Sequence, residues 1–155
     1  MKTRDATEAD AFAIQALTRE AYAKWVPLIG REPLPMTVDY HDAIKQHLFR
    51  LVHVGETLAA LVETVTEADH VLIENLAVLP SFQGNGFGRR LLSLVEQTAK
   101  AEGAMRIKLY TNKLFAENIE FYSRHGYTID FEEPFKGGML VYMSKSLAQE
   151  TSLLG

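Results

Sequence analysis

The spacing of apolar residues along the chain changes period repeatedly, and each change marks an element. Residues 2–5 read as a short first strand. Behind Thr7, a candidate N-cap with Asp10 three residues on, Ile14, Leu17, Ala21 and Trp25 recur at helical spacing and predict a helix over about 8–24. Pro27, Gly30, Pro33 and Pro35 break up the stretch 26–36, and Thr37 is the expected cap of a second helix over about 38–48. Strand-like runs follow. Leu51 to Val54, a Gly55-Glu56 turn and Leu58 to Val65 form a hairpin, and Val71 to Leu79 makes a third run that stops at Pro80. From Phe87 the period turns helical, with Phe87, Leu91, Leu94, Val95, Thr98 and Ala99 on one face and Gly103 where a left-handed C-terminal cap belongs. Met105, Ile107 and Leu109 alternate with Arg106 and Lys108 as in a half-buried strand. Phe115, Ile119 and Tyr122 mark a short helix ended by Gly126. Tyr127 to Phe131 and Met139 to Ser144 read as two last strands, joined by a loop containing Pro134 and Gly137-Gly138. The order β-α-α-β-β-β-α-β-α-β-β is that of a mixed sheet covered by helices.

Composition narrows the classes. The 155 residues amount to one domain, 1–155. There is no cysteine, which excludes disulfides, thiolate-bound zinc and a cysteinyl acyl-enzyme, so ping-pong transfer through one is excluded too. A net charge of −4 argues against a nucleic-acid partner and leaves room for a local basic site for a small anion. No run reaches the roughly 18 apolar residues of a membrane span. The N-terminus, MKTRDATEAD, turns acidic where a signal peptide turns apolar, so a cytoplasmic protein with no membrane partner is expected. His41, His47 and His53 fall six apart, which fits neither H-E-x-x-H nor a zinc site; no metal is expected, and these histidines are assigned surface or packing roles.

The sharpest chemical feature is Gln83-Gly84-Asn85-Gly86-Phe87-Gly88-Arg89-Arg90, set between a strand and a helix. Glycines at alternate positions let backbone approach a ligand closely, and the N–H groups of a helix N-terminus bind anions. Arg89 and Arg90 oppose the helix dipole in the first turn, which an anionic ligand explains. A Walker A loop fails for want of Lys-Ser/Thr after its last glycine, and G-x-G-x-x-G fails in both frames. The pattern Q/R-x-x-G-x-G/A is matched by Gln83, Gly86 and Gly88. It is the pyrophosphate loop of the GNAT superfamily of acyl-CoA N-acyltransferases, which this chain resembles.

The resemblance is most specific from about Val71 to Tyr127. It implies a single α/β (α+β) domain with a mixed, mostly antiparallel central sheet, helices on both faces and a splayed cofactor-binding cleft. Ile73 to Pro80 resembles the family's fourth strand, so backbone groups of Leu76, Ala77 and Val78 are expected to meet the pantetheine arm and acetyl carbonyl of acetyl-CoA. Gln83, Gly84, Asn85, Gly86, Phe87, Gly88 and Arg89 are expected at the pyrophosphate. The stretch Asn118 through Gly126-Tyr127 resembles the family's second motif, which places Tyr122 near the thioester sulfur. Two departures stand out. Phe115 occupies the position, seven before Tyr122, where many members have asparagine, and the cofactor contact is carried instead to Asn112 and Asn118, with helix capping as the other reading of Asn112. Tyr110 stands, twelve before Tyr122, where some peptide-acetylating members have a glutamate.

Acyl transfer to an amine needs a base for the ammonium, donors for the oxyanion and an acid for the departing thiolate. Tyr122 suits the last task, the Val78 N–H the second, and Glu74, a carboxylate in an apolar strand, the first, with Glu63 in reserve. Core packing for Tyr122 and a solvent-facing strand position for Glu74 are the plainer readings. The apolar connection 25–36 and the last hairpin are expected to build the acceptor pocket from Trp25, Met36, Tyr40, Glu74 and Phe135. The leading function is an acetyl-CoA-dependent N-acetyltransferase acting directly on a primary amine of a small or amino-acid-like acceptor. The alternatives are a non-catalytic acyl-CoA sensor and a peptide or protein acetyltransferase. An exposed last-strand edge is commonly paired, which leaves a homodimer open without fixing its geometry.

Overall fold

The structure, a computed structural model, describes residues 1–147; the end of the expected 1–155 domain, 148–155, lies outside them. Strand β1 is Arg4–Asp5, and a 3-10 turn at Glu8–Asp10 leads into α1, Ala11–Tyr22. The Thr7 N–H donates to Asp10 Oδ2 at 2.8 Å, and Arg4 grips the same carboxylate at 2.6 Å. That pairing holds the Asp10 carboxyl down to about 2. The helix expected over 8–24 is therefore a helix between two 3-10 turns, the second at Ala23–Trp25.

The proline-broken stretch is more ordered than its composition suggests. It holds a short α2, Val26–Ile29, closed by Gly30 at φ 72°, and a 3-10 turn at Leu34–Thr37. Helix α3 runs Tyr40–Gln46, and its N-cap is Asp39, whose Oδ1 accepts from His41 N–H at 3.0 Å and Asp42 N–H at 3.4 Å. Thr37, the expected cap, instead bonds its hydroxyl back to the Leu34 carbonyl. Two candidate capping side chains within three residues compete, and the carboxylate is the better acceptor for amides at a helix N-terminus.

Strands β2 (Leu48–Val54), β3 (Thr57–Thr66) and β4 (His70–Val78) form an antiparallel meander. Then come α4 (Phe87–Ala101), β5 (Arg106–Asn112), α5 (Ala116–Arg124), β6 (Thr128–Phe135) and β7 (Gly138–Ser146). Pro134, expected in a loop, lies within β6, where an edge strand tolerates its missing N–H; the connecting turn is Lys136-Gly137. The seven-stranded sheet has the order β1-β2-β3-β4-β5-β7-β6, and only β4 and β5 run parallel.

One core packs Leu91, Leu92, Val95 and Ala99 of α4 and Tyr122 of α5 onto one face of the sheet. The other packs Ala11, Ile14 and Leu17 of α1 with Tyr40 and Ala43 of α3 onto the opposite face. Ile73 belongs to the first core and Ala77 to the second. Residues four apart on a regular strand share a face, so something between them must invert the alternation. It is a β-bulge: Glu63 pairs with Asn75 and Thr64 with Ile73, leaving Glu74 as the extra residue. No helix among the described residues is long and apolar enough to cross a membrane.

Candidate active site

The bulge marks where the sheet opens. Strands β4 and β5 pair only from His70↔Arg106 to Ile73↔Leu109, and beyond that point they part. Beta-4 keeps its pairing with β3 as far as Val78, while β5 keeps its pairing with β7 as far as Asn112. The Leu79 N–H donates to the Ala59 carbonyl at 2.9 Å. Alternation in an antiparallel ladder then turns the backbone groups of Ala77 toward β3 and those of Leu76 and Val78 into the opening. Of the three residues expected to meet a pantetheine arm, Leu76 and Val78 can offer hydrogen bonds there, and Ala77 cannot. The outward Val78 carbonyl accepts from Gln83 Nε2 at 3.2 Å.

At the end of β4 the chain turns through a 3-10 turn at Pro80–Phe82 into the glycine loop. Gly86 is the N-cap of α4 at φ 83°, a left-handed conformation that disfavours any residue with a Cβ. The first bond of the helix runs from Arg90 N–H to the Gly86 carbonyl, and no side chain caps this end. The amides of Phe87, Gly88 and Arg89 are thus left to an external acceptor, at the positive end of the helix dipole. A Cβ on Gly88 would lie 3.5 Å from the Phe121 ring and 3.9 Å from Val78, filling the gap where α4, α5 and β4 meet. This loop, with an amide-lined end and a glycine cradle, fits a pyrophosphate. Gln83, Gly84, Gly86, Phe87, Gly88 and Arg89 all line the cleft. Asn85 does not; its side chain donates to the Phe82 carbonyl at 3.1 Å and shapes the turn instead.

Tyr122 comes from α5 on the first core's face, wedged edge-on against Phe121 and Tyr127. Its ring is buried, its hydroxyl makes no hydrogen bond among the described residues, and it lines the cleft. Burial pushes its phenol above the ordinary value, so it is protonated at neutral pH. Across the opening, Glu74 on the bulge accepts from the Tyr110 hydroxyl at 3.4 Å. Burial and the Glu74 carboxylate push Tyr110 up to about 12. Tyr110 holds the place where some relatives carry a glutamate; here the carboxylate arrives from the neighbouring strand. Asn112 lines the cleft while its Oδ1 accepts from Leu114 N–H at 2.9 Å, and Asn118 lines it without a side-chain hydrogen bond among the described residues.

Several cleft residues escaped the sequence reading. His47, assigned a surface or packing role, lines the cleft and holds Glu63 Oε2 at 2.6 Å from its Nδ1. Tyr22 donates to Asn75 Oδ1 at 2.8 Å, and Asn75 Nδ2 donates to Thr18 at 3.2 Å and Tyr40 at 3.3 Å. The signal was present for one of them: Asn75 is a polar residue beside Glu74 in an apolar run. His47 and Tyr22 had none, because their partners lie 16 and 53 residues away. Glu63 is 3% exposed, and burial raises its carboxyl, with His47 opposing and Glu74 adding to the rise. A carboxyl raised by folding favours the protonated form. Its stabilising contribution is full below the ordinary value of about 4.3 and is lost as pH climbs through its elevated value. Glu63→Gln should therefore flatten the fall of Tm with rising pH above about 4.3, measured by thermal melts across pH.

The cleft is roofed, on the side where the acceptor is expected, by the connection between α1 and α3. Trp25 stacks on Phe115 with centroids 4.5 Å apart, so the departure from asparagine at Phe115 supplies the roof's anchor. Lys24 Nζ bonds Glu117 at 2.8 Å beside it, and the Arg31 guanidinium lies 5.5 Å from the Phe135 ring. Trp25, Tyr40 and Phe135 line the cleft, and the Tyr40 hydroxyl donates to the Pro35 carbonyl at 2.6 Å. Met36 does not line it; it is buried, with its carbonyl facing Arg19. The cleft encloses about 760 Å³, within the range of small-molecule and cofactor sites.

The sequence profile of the Acetyltransferase (GNAT) family matches residues 14–127. The chain belongs to that family. A 79-residue stretch is 33% identical to the mouse (Mus musculus) protein N-alpha-acetyltransferase 80, covering 51% of this chain but only 23% of that protein. PaiA N-acetyltransferase of Thermoplasma acidophilum, solved in complex with coenzyme A, superposes with a TM-score of 0.78 at 19% identity, over 94% of this chain and 98% of that one. The ribosomal-protein-S18-alanine N-acetyltransferase of Escherichia coli gives a TM-score of 0.78 at 19% identity, over 99% and 98%. The fold of the chain is the GNAT fold, and the parting of β4 from β5 is its cleft.

Proposed function

We propose that this protein moves an acetyl group from acetyl-CoA directly to the primary amine of a small or amino-acid-like acceptor, within a ternary complex. The observation that carries this reading is the cleft between β4 and β5, with free amides at one end and the Tyr122 hydroxyl and Glu74 carboxylate inside it. Bound acetyl-CoA supplies the activated acyl carbon and a thiol leaving group. The α4 amides and Arg89 hold its pyrophosphate, and Leu76 and Val78 receive its arm along β4. Asn112 flanks it from the end of β5 and Asn118 from α5. The Val78 N–H donates to the acyl oxygen as charge builds there. Glu74 takes the proton of the acceptor ammonium, since only the free amine is nucleophilic. Tyr122 donates its O–H toward the departing sulfur. The roof formed by Lys24, Trp25 and Arg31 favours an enclosed small acceptor over a chain threaded through an open groove.

Initial velocities with acetyl-CoA against an amine panel test this, with thiol release and product mass as readouts. Intersecting double-reciprocal lines are expected, and parallel lines would rule out the ternary complex. Glu74→Gln should lower kcat by about 10²–10³-fold with little change in the KM for acetyl-CoA. A kcat within about threefold of wild type removes Glu74 as the base. Tight coenzyme A binding with no transfer to any amine leaves the sensor reading.

A further inference from the structure

The charges around the cleft are unevenly placed. Its interior carries the Glu74 carboxylate, with Glu63 beside it bonded to His47. Its acceptor rim carries cations instead: Arg31 lies 5.5 Å from the Phe135 ring, and Lys136 Nζ lies 5.3 Å from the same ring, just outside the cleft lining. Arg31 and Phe135 both line the cleft. Among the described residues neither cation has a carboxylate within ion-pair distance. The carboxylates nearest them in sequence are engaged elsewhere, Glu32 with Arg19 at 2.7 Å and Glu133 with the Tyr142 hydroxyl. Two like charges gathered on one ring repel each other, and attraction to the ring face offsets only part of that.

The turn that carries Lys136 adds a second observation. Among the described residues, Lys136 is the only non-glycine with positive φ, at 47°, followed by Gly137 at 79°. Two positive φ values in a two-residue hairpin loop define a turn that asparagine or glycine fills at least cost. A lysine there is strained, and strain retained at the mouth of a cleft points to use.

We propose that Arg31 binds a carboxylate of the acceptor, so that the substrate is a small amino-acid-like molecule, its amine directed to Glu74 and its acid group to the rim beside Phe135. Lys136 strengthens the positive potential there without touching the ligand. This rests on the amine-acetylating reading above and deepens it. A diamine or polyamine, all cation, meets Arg31 as a like charge; an amine that also bears an acid finds both of its charges matched. The guanidinium lies against the ring with Nη1 donating to the Glu32 carbonyl at 3.4 Å, and its other N–H groups, unbonded among the described residues, can take a carboxylate.

The test compares matched acceptors: α- and ω-amino acids of several lengths against the same amines lacking the carboxylate. The acid-bearing member of at least one pair should show kcat/KM roughly 10–100-fold higher, carried by KM. Arg31→Gln should erase that difference by lowering kcat/KM for the acid-bearing member far more than for its plain-amine partner. Arg31→Lys should restore part of it. Lys136→Asn should raise Tm and weaken the acid-bearing acceptor about 2–3-fold through potential alone. Preference for the plain amines, or an equal loss on both members of each pair in Arg31→Gln, overturns the proposal. Calorimetric binding of N-acetylated amino acids to the protein with coenzyme A reads the same site without turnover. If no amine is acetylated, the functional reading fails, and this binding still decides the inference. Affinity lost in Arg31→Gln upholds it; absent or unaltered affinity sinks it.

Discussion

Tyr122→Phe should lower kcat for acetyl transfer by about 10²-fold, while the KM for acetyl-CoA moves less than about 3-fold. The hydroxyl is free of hydrogen bonds among the described residues and lines the cleft, so removing it orphans no buried partner. The ring keeps its edge-on contacts with Phe121 and Tyr127, at 5.2 and 5.5 Å, so Tm should barely change. What disappears is one donor facing charge that exists only as the sulfur departs. An interaction made only in the transition state lowers kcat and kcat/KM together.

The shape of the pH dependence is a sharper check. Burial holds the Tyr122 phenol above its ordinary value. Its ionisation therefore falls above the working range, and the ratio of wild-type to variant rates should be constant between about pH 6 and 9. A phenol held this high is a poor proton donor in the ground state. Its contribution is best described as a hydrogen bond that strengthens as the sulfur gains charge and completes transfer late. Equal rates for Tyr122→Phe and wild type at every pH would remove Tyr122 from the chemistry and return it to core packing.

Much of the frame is legible in the sequence because it is local. The periodicity of α4, the alternation of β5 and the Gln83–Arg90 turn all depend on residues within a few positions of one another. The bulge is not legible: nothing in Ile73-Glu74-Asn75 says that an extra residue is accommodated, because its cause is pairing with Glu63 on another strand. That one residue inverts the faces, so Ile73 packs under α4 while Asn75 reaches Thr18, Tyr22 and Tyr40. Glu74 stands out in the sequence as a carboxylate in an apolar run, and the bulge is the physical reason such a residue fits there. Met36 shows the reverse failure. Apolarity in a loop does not tell a residue that faces a ligand from one that plugs the core beneath it.

Gly86→Val should raise the Kd for coenzyme A by about 10²-fold or more. Gly86 sits at φ 83°, where a β-branched residue is strained by roughly 1–2 kcal/mol. Its Cβ would meet Arg89 Nη2 at 3.3 Å, so the arginine must also shift. The chain relieves both by rotating out of the left-handed region, and that rotation turns away the amides of Phe87, Gly88 and Arg89. Each hydrogen bond from a backbone amide to a charged oxygen contributes about 1.5–3 kcal/mol, so losing one or two accounts for the expected factor. Strain alone must be separated from loss of the anion site, and Gly55→Ala does this. Gly55 has φ 61° with nothing within 4 Å of a built Cβ, and it lies in the β2–β3 turn outside the cleft lining. It should lower Tm by a few degrees and leave coenzyme A affinity alone. Calorimetry on the two variants side by side decides the matter. If Gly86→Val binds coenzyme A within about twofold of wild type, under 0.5 kcal/mol, the α4 amides are not the pyrophosphate site, whatever the fold.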